Sequence, residues 1–421
     1  MFALCAFALL FPACYTARMR ALLHLILPIY LPMILFATAI FAILPGLPGY
    51  LTEIGAAVGM VGLILAFRGG GTLLVDLPGG LLLARVGSRR IMSLAAAVLV
   101  GVGVVLATVP VLVVAALCVL LIGGMSALFF FFLQSHVRAS MPPDLRGRAL
   151  SSVGGSMRIG ALVGPAIGGA LTDAFSMSAT FLLFAAFIAA AFTMVMFFLP
   201  PPRSSAATAA AGAKPRFATI GRLITNPVQG MYAVGGALVA LMLLRASRSI
   251  VLPLWGESIG LSVSTIGFVM SGAALFDLLL FIPAGLIMDR AGRKVAGILC
   301  LGVFTLGMGL IPLTGSVAGF VLAAAVIGIG NGFGAGINLT MGADLAPDDQ
   351  TGPFLGLWRL FGDLGATAGP SLVGLVAAAV SLPMAVAAVA GVGLLGTAVM
   401  AFVAPETSRI ARERELSAGS G

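Results

Sequence analysis

The sequence predicts an all-α polytopic membrane protein of twelve transmembrane helices, built as two parallel halves of six. Three observations predict it. Of 421 residues, 60% are hydrophobic and 9% charged, with mean hydropathy +1.17; a soluble domain carries about 25% charged residues, so these charges cannot cover a water-facing surface. The apolar stretches recur at the length of about 20 residues that a bilayer requires. The chain also repeats itself at an offset of 205 residues, Gly80 matching Gly285.

The repeat is ungapped at residues that constrain the backbone. Pro48, Pro78, Pro142, Asp144 and Gly147 match Pro253, Pro283, Pro347, Asp349 and Gly352, while Gly160, Gly164, Pro165 and Gly169 match Gly365, Gly369, Pro370 and Gly374. Agreement at so many Gly and Pro positions indicates a duplicated unit of about half the chain. Two such units of apolar segments suggest a transporter of parallel halves.

In chain order, residues 1–20 read as a cytoplasmic N-terminal end. They are apolar but lack the basic start of a signal peptide, so Met19 is the expected start. The first bundle occupies 21–199, with spans near 21–44, 56–83, 91–109, 111–134, 149–174 and 179–199. Residues 200–226 are rich in Pro, Ala and Ser and form a cytoplasmic linker with room for a short surface helix. The second bundle occupies 227–404, with spans near 227–252, 264–288, 295–314, 317–341, 353–380 and 383–404. Residues 405–421 form a solvated tail.

The net charge of +9 belongs to topology rather than to a nucleic-acid partner. Of the 23 Lys and Arg, all but Arg68, Arg158, Arg245, Arg248 and Arg359 fall in alternate loops and at the two ends. That is the positive-inside pattern, and it puts both termini in the cytoplasm of a multi-pass protein of the cell membrane. Cys5, Cys14, Cys118 and Cys300 lack metal-ligand spacing, and no metal or other cofactor is expected. No phosphate-binding loop or paired acid–base constellation appears, so neither an enzyme nor an ATP-driven pump is expected. The 56 glycines suit membrane helices that pack through small residues.

One loop carries the most specific motif. GLIMDRAGRK spans Gly285 to Lys294, with Asp289, Arg290, Gly292 and Arg293 between. Its first-half copy keeps Gly80, Arg85, Gly87 and Arg89 but has Ala84 in place of Asp289. Asp289 can accept hydrogen bonds at a neighbouring helix N-terminus, where the dipole favours a carboxylate. Arg290, Arg293 and Lys294 either hold carboxylates or lipid phosphates or only set topology.

Two six-span halves, this loop between the second and third span of a half, and the long central linker resemble the major facilitator superfamily over the whole chain. Within it, Gly160-x-x-x-Gly164-Pro165-x-x-Gly168-Gly169 is similar to the signature of the twelve-span drug/proton antiporters. The sequence departs from that group at Ser151, where the fuller signature has Gly. It departs again at Val119–Gly124, which read VLLIGG where the group carries Arg before Gln-Gly. The resemblance implies a cavity opening alternately to each side, lined mainly by spans 1, 4, 7 and 10. It also implies that spans 2 and 11 meet across the halves, as do 5 and 8.

Charges inside spans need a partner or a water-lined path. Span 2 carries Arg68 and Asp76, about 12 Å apart along the axis. Span 5 carries Arg158, span 8 Asp277, and span 11 Arg359 and Asp363. Sign and depth in the implied architecture pair Asp76 with Arg359, Arg68 with Asp363, and Arg158 with Asp277. These form either a switch that breaks between states, with a carboxylate taking up a proton when unpaired, or static pairs.

Arg245 and Arg248 share a face of span 7 and serve as an outer gate, as capture for an anionic group, or as a snorkelling pair. Asn331 and Asn338, seven residues apart, are expected to share a face of span 10 and to bond either a ligand or another helix. Thr38 and one or two of Phe129–Phe132 complete the cavity candidates. The expected activity is proton-coupled efflux of a hydrophobic or amphipathic small molecule by a functional monomer in the lipid bilayer. An uptake carrier or facilitator for a small organic anion is the alternative, and a non-transporting receptor or scaffold a remote one.

Overall fold

The structure, a computed structural model, describes residues 29–86, 88–140, 143–198, 217–347 and 350–419, with side chains outside 76–89, 135–136, 138–152, 198, 217–220 and 414–419. The expectations for Asp76, Gly80, Arg85, Gly87, Arg89 and the first 28 residues therefore lie outside what is described. Among the described residues the chain is almost wholly helical and has no strand.

The first half comprises α1 (Leu31–Ala42), α2 (Leu47–Glu53), α3 (Val58–Val86), α4 (Ser88–Thr108), α5 (Leu112–Ser140), α6 (Pro143–Ala174) and α7 (Met177–Phe198). A short α8 (Phe217–Thr225) ends the linker. The second half comprises α9 (Met231–Ser258), α10 (Val263–Leu279), α11 (Phe281–Arg290), α12 (Arg293–Leu310), α13 (Val317–Phe333), α14 (Ile337–Leu345), α15 (Thr351–Ala379) and α16 (Leu382–Ala398), with α17 (Thr407–Gly419) as the tail. Among the described residues, nine helices are long and apolar enough to cross a membrane, and the bent pairs α1–α2 and α10–α11, each at 41°, bring these to 11. The more polar α6, at 32 residues, is long enough as well, which is consistent with the twelve expected spans.

Local sequence explains where helices begin. Ser262, Ser316 and Ser381 each accept a backbone N–H in the first turn of α10, α13 and α16, satisfying donors that a helix start leaves open. Gly292 takes φ +99° ahead of α12, a conformation open to glycine at little cost. Gly336, at φ +80°, separates α13 from α14. The apolar positions run round most helices rather than along one stripe, as they must where a helix faces lipid and neighbours at once.

Each half holds a dense core. In the first, Phe36 stacks on Phe129 with centroids 4.5 Å apart, and Phe129 and Phe132 are fully buried. Both phenylalanines are core residues here, and Phe130 and Phe131, the other two of the run, are half-buried against that core. Two seams join the halves, α3 with α15 and α6 with α10. The repeat is visible in how α6 and α15 serve them. Gly160, Gly164 and Gly168 meet the backbone of α1 in their own half, while Pro165 and Gly169 meet α10 of the other half. Correspondingly, Gly365 and Gly369 meet α9, and Pro370 and Gly374 meet α3. One face of each helix belongs to its bundle, the other to the seam.

Candidate functional site

The seams seal one end of the bundle, the end opposite the basic turn at Arg290–Lys294. A Cβ on Gly62 would lie 2.4 Å from Gly374 Cα, and one on Gly267 would lie 2.2 Å from the Pro165 carbonyl oxygen. Polar contacts reinforce the second seam. Asp173 Oδ2 accepts from Ser264 N–H at 2.9 Å, so a first-half carboxylate occupies the N-terminus of α10, where the helix dipole favours it. Ala166 N–H donates to Ser271 Oγ at 3.0 Å. Beyond these, Glu257 at the end of α9 packs against Gly49 of α2.

Deeper in the bundle four polar residues form a chain across the halves. Arg158 of α6 donates through Nη1 to Asp277 Oδ1 of α10, and its guanidinium lies 4.9 Å from the centroid of Phe281. Asn331 Nδ2 donates to Asp277 Oδ2 at 2.7 Å. Arg245 Nε donates to Asn331 Oδ1 at 2.7 Å, and its Nη2 to the Gly334 carbonyl at 3.0 Å. That carbonyl is available because α13 ends there, leaving its last acceptors without helical donors. Both Asp277 oxygens are thus engaged, one from each half of the protein.

Two adjoining cavities flank this chain, sharing Leu44 and Ser249 in their walls. The larger, about 230 Å³, lies among α1–α2, α3, α5, α9 and α15 and is walled by Ile43, Leu47, Leu65 and Pro370, with Arg68 and Thr72 as its polar groups besides Ser249. The smaller, about 80 Å³, is bounded by Arg245, Arg248, Phe41, Pro165 and Met270. Arg248 Nη1 is shut off from solvent and has no hydrogen-bond partner among the described residues.

Of the expected pairs, the structure brings Arg158 and Asp277 together. Arg68 lines the larger cavity instead of meeting Asp363, and Asp363 lies 3.7 Å from Arg359 on its own helix. Asp76, the proposed partner of Arg359, has its side chain outside the description. Asn331 and Asn338 do not share a face, because the break at Gly334–Gly336 interrupts the helix between them. Asn338 Oδ1 instead accepts from Trp358 Nε1 at 2.8 Å. Thr38 is buried where α1 meets Gly160 and Gly164.

The basic turn also differs from expectation. Asp289 is 76% exposed, and its contact with Arg293 is long at 3.8 Å. The carboxylate at a helix N-terminus is Glu406, which accepts from the Arg293 and Lys294 backbone N–H groups at 2.9 and 3.0 Å. Asp344 Oδ2 accepts from Arg293 Nε at 3.1 Å and from Thr407 Oγ1 at 2.9 Å. The sequence reading missed both carboxylates. Counting back 205 residues from them gives Ala139 and Pro201, so the repeat that singled out the other positions is silent here. Their one signal was that α12 begins with consecutive N–H groups and no local cap.

Two pseudo-symmetric helical bundles around a central cavity, with a polar chain bridging them, have the architecture of a multi-pass membrane transporter. The family description of the Major Facilitator Superfamily matches residues 29–247 and 235–418, and the chain belongs to that family. A fungal relative, the MFS-type efflux transporter ffsH of Aspergillus flavipes, is 37% identical over 93 residues; the match covers 21% of this chain and 16% of that protein. A D-xylose–proton symporter superposes with TM-score 0.70 at 18% identity, over 92% of this chain and 98% of the other. A POT family transporter in complex with 5-aminolevulinic acid gives 0.74 at 14%, over 92% and 97%. The human organic anion transporter MFSD10 gives 0.64 at 17%, over 90% and 99%. These superpositions establish the fold.

Proposed function

We propose that this transporter exports amphipathic small molecules by alternating access, in exchange for protons, working as a monomer. The observation that carries the reading is Asp277, held at once by Arg158 of one half and Asn331 of its own. With the basic loops in the cytoplasm, the sealed end is the outer one and the termini are cytoplasmic. Opening that end requires α6 to leave α10, which separates Arg158 from Asp277. The freed carboxylate then accepts a proton from outside, and re-pairing with Arg158 displaces it inward. Solute enters the mostly apolar cavity from the inner side and leaves when the seams part. The efflux named for the ffsH relative and the proton coupling named for the D-xylose symporter support this direction and this driving ion.

A second reading, entry of an organic anion, has in its favour the cationic lining of the cavities. One experiment decides between them. Purified protein in liposomes with a trapped pH dye is challenged with lipophilic cations, organic anions and neutral analogues, wild type beside Asp277→Asn. Proton movement opposite to solute movement, lost in the variant, is the result expected. Solute flux without proton movement, unchanged in Asp277→Asn, would overturn the coupling, and proton and solute moving together would establish uptake.

A further inference from the structure

Among the described side chains, cations outnumber carboxylates around the centre. Arg68, Arg158, Arg245 and Arg248 lie there with Asp277, already engaged through both oxygens, and with Asp363, which lies 3.7 Å from Arg359 of its own helix. Arg158 and Arg245 have protein partners. Arg248 Nη1 is enclosed without one, and Arg68 makes no side-chain hydrogen bond or ion pair among the described residues. A guanidinium stays charged at any pH a protein meets, so neither residue can escape the cost of enclosure by losing its proton, as a lysine can. An unpaired charge in a largely apolar enclosure is costly to fold and rewarding to neutralise.

Resting on the transport reading above, we propose that Arg68 and Arg248 form an anion-binding site and that the solute is an amphipathic organic acid. The geometry supplies the place for each of its parts. Arg68 opens onto the larger cavity and Arg248 onto the smaller, and the two cavities adjoin at Ser249, whose hydroxyl donates to the Ala246 carbonyl at 2.7 Å. A guanidinium fork matches a carboxylate in shape and charge. The Ile43, Leu47, Leu65 and Pro370 wall takes the apolar body. The two cationic residues come from opposite halves, α3 and α9, so the bound anion also draws the halves together. An interior-negative membrane potential drives such an anion outward, in keeping with export.

The test is equilibrium binding to the full chain in nanodiscs, without any pH or voltage gradient, so that it is independent of transport. Benzoate, 2-naphthoate and octanoate are compared with 2-naphthamide and with 2-naphthylmethylammonium. The acids bind saturably and ahead of the amide and the amine. Arg68→Gln and Arg248→Gln each weaken acid binding by about tenfold or more without changing binding of the amide. Arg248→Lys retains part of it. Arg222→Gln, on the exposed linker helix, serves as the control and binds as wild type. Thermal melting checks folding, and because the two arginines lie on different helices, each variant is a separate trial.

No saturable binding of any of the three acids would overturn the site, as would equal binding of naphthoate and naphthamide, or wild-type acid binding in both Gln variants. Chloride and acetate binding as well as naphthoate would overturn the amphipathic part of the proposal. Acid binding with no flux in liposomes would instead overturn the transport reading and leave the site standing.

Discussion

Removing the charge of Arg158 should unseal the end that the two seams close. Unit charges about 4 Å apart attract by about 4 kcal/mol at an effective dielectric constant of ~20. The two side chains keep 21% and 14% of their surface, so solvent screens part of this, and about half, ~2 kcal/mol, remains. Arg158→Gln keeps a donor for Asp277 but loses that attraction, which corresponds to a shift of about 30-fold in the ratio of unsealed to sealed protein. Spin labels report it directly. Val58 and Val380 lie at the sealed end, one beside each helix of the α3–α15 seam, and are 43% and 66% exposed. Cys118 and Cys300 are buried, so with Cys5 and Cys14 replaced by Ser, only Val58→Cys and Val380→Cys take label. Dipolar spectroscopy should show the long-distance population rising in Arg158→Gln and in Asp277→Asn, and no further in the double variant. An unchanged distance distribution in both single variants would refute the account of the pair as a contact specific to one state.

Two other perturbations probe the parts around that contact. In Gly62→Val the added side chain meets the backbone of Gly374; overpacking of about 1–3 kcal/mol should move the same label pair to long distances and suppress flux, and a wild-type distribution would show that the α3–α15 seam does not seal that end. Glu406→Gln removes the carboxylate charge at the start of α12, worth about 1 kcal/mol. Hydrogen exchange at Arg293, Lys294 and residues 407–413 should accelerate about fivefold, and unchanged exchange would mean that the tail docks without this cap.

How far the candidate site could be read in advance depended on the kind of information each residue carries. Depth was legible: once the resemblance implied that spans 5 and 8 meet, sign and depth matched Arg158 with Asp277, and the structure brings them together. Azimuth was not. Asn338 was set on the face of Asn331 by assuming one continuous helix, but the chain breaks at Gly334–Gly336 and turns Asn338 to Trp358. Arg68 and Asp363 were matched by depth as well, yet Arg68 turns into the cavity and Asp363 toward Arg359. Asp289 was assigned to a neighbouring helix N-terminus because the dipole there favours a carboxylate. The bend between α10 and α11 leads into a last turn that leaves Asp289 in solvent, and Glu406 arrives from 113 residues further along the chain at Arg293.

The sequence by itself determined the class of this protein: helical, membrane-embedded, duplicated, with glycine faces on α6 and α15 and with charges held in the spans. Those features follow from hydropathy, length and repetition, which are properties of the chain one segment at a time. Only the tertiary structure decided that Asn331 links Arg245 to Asp277, that Glu406 caps α12, and that Arg68 and Arg248 are left facing cavities. Each of these depends on how a helix is rotated about its own axis and on which neighbour it meets. A bundle fixes that rotation through the packing of all its helices at once.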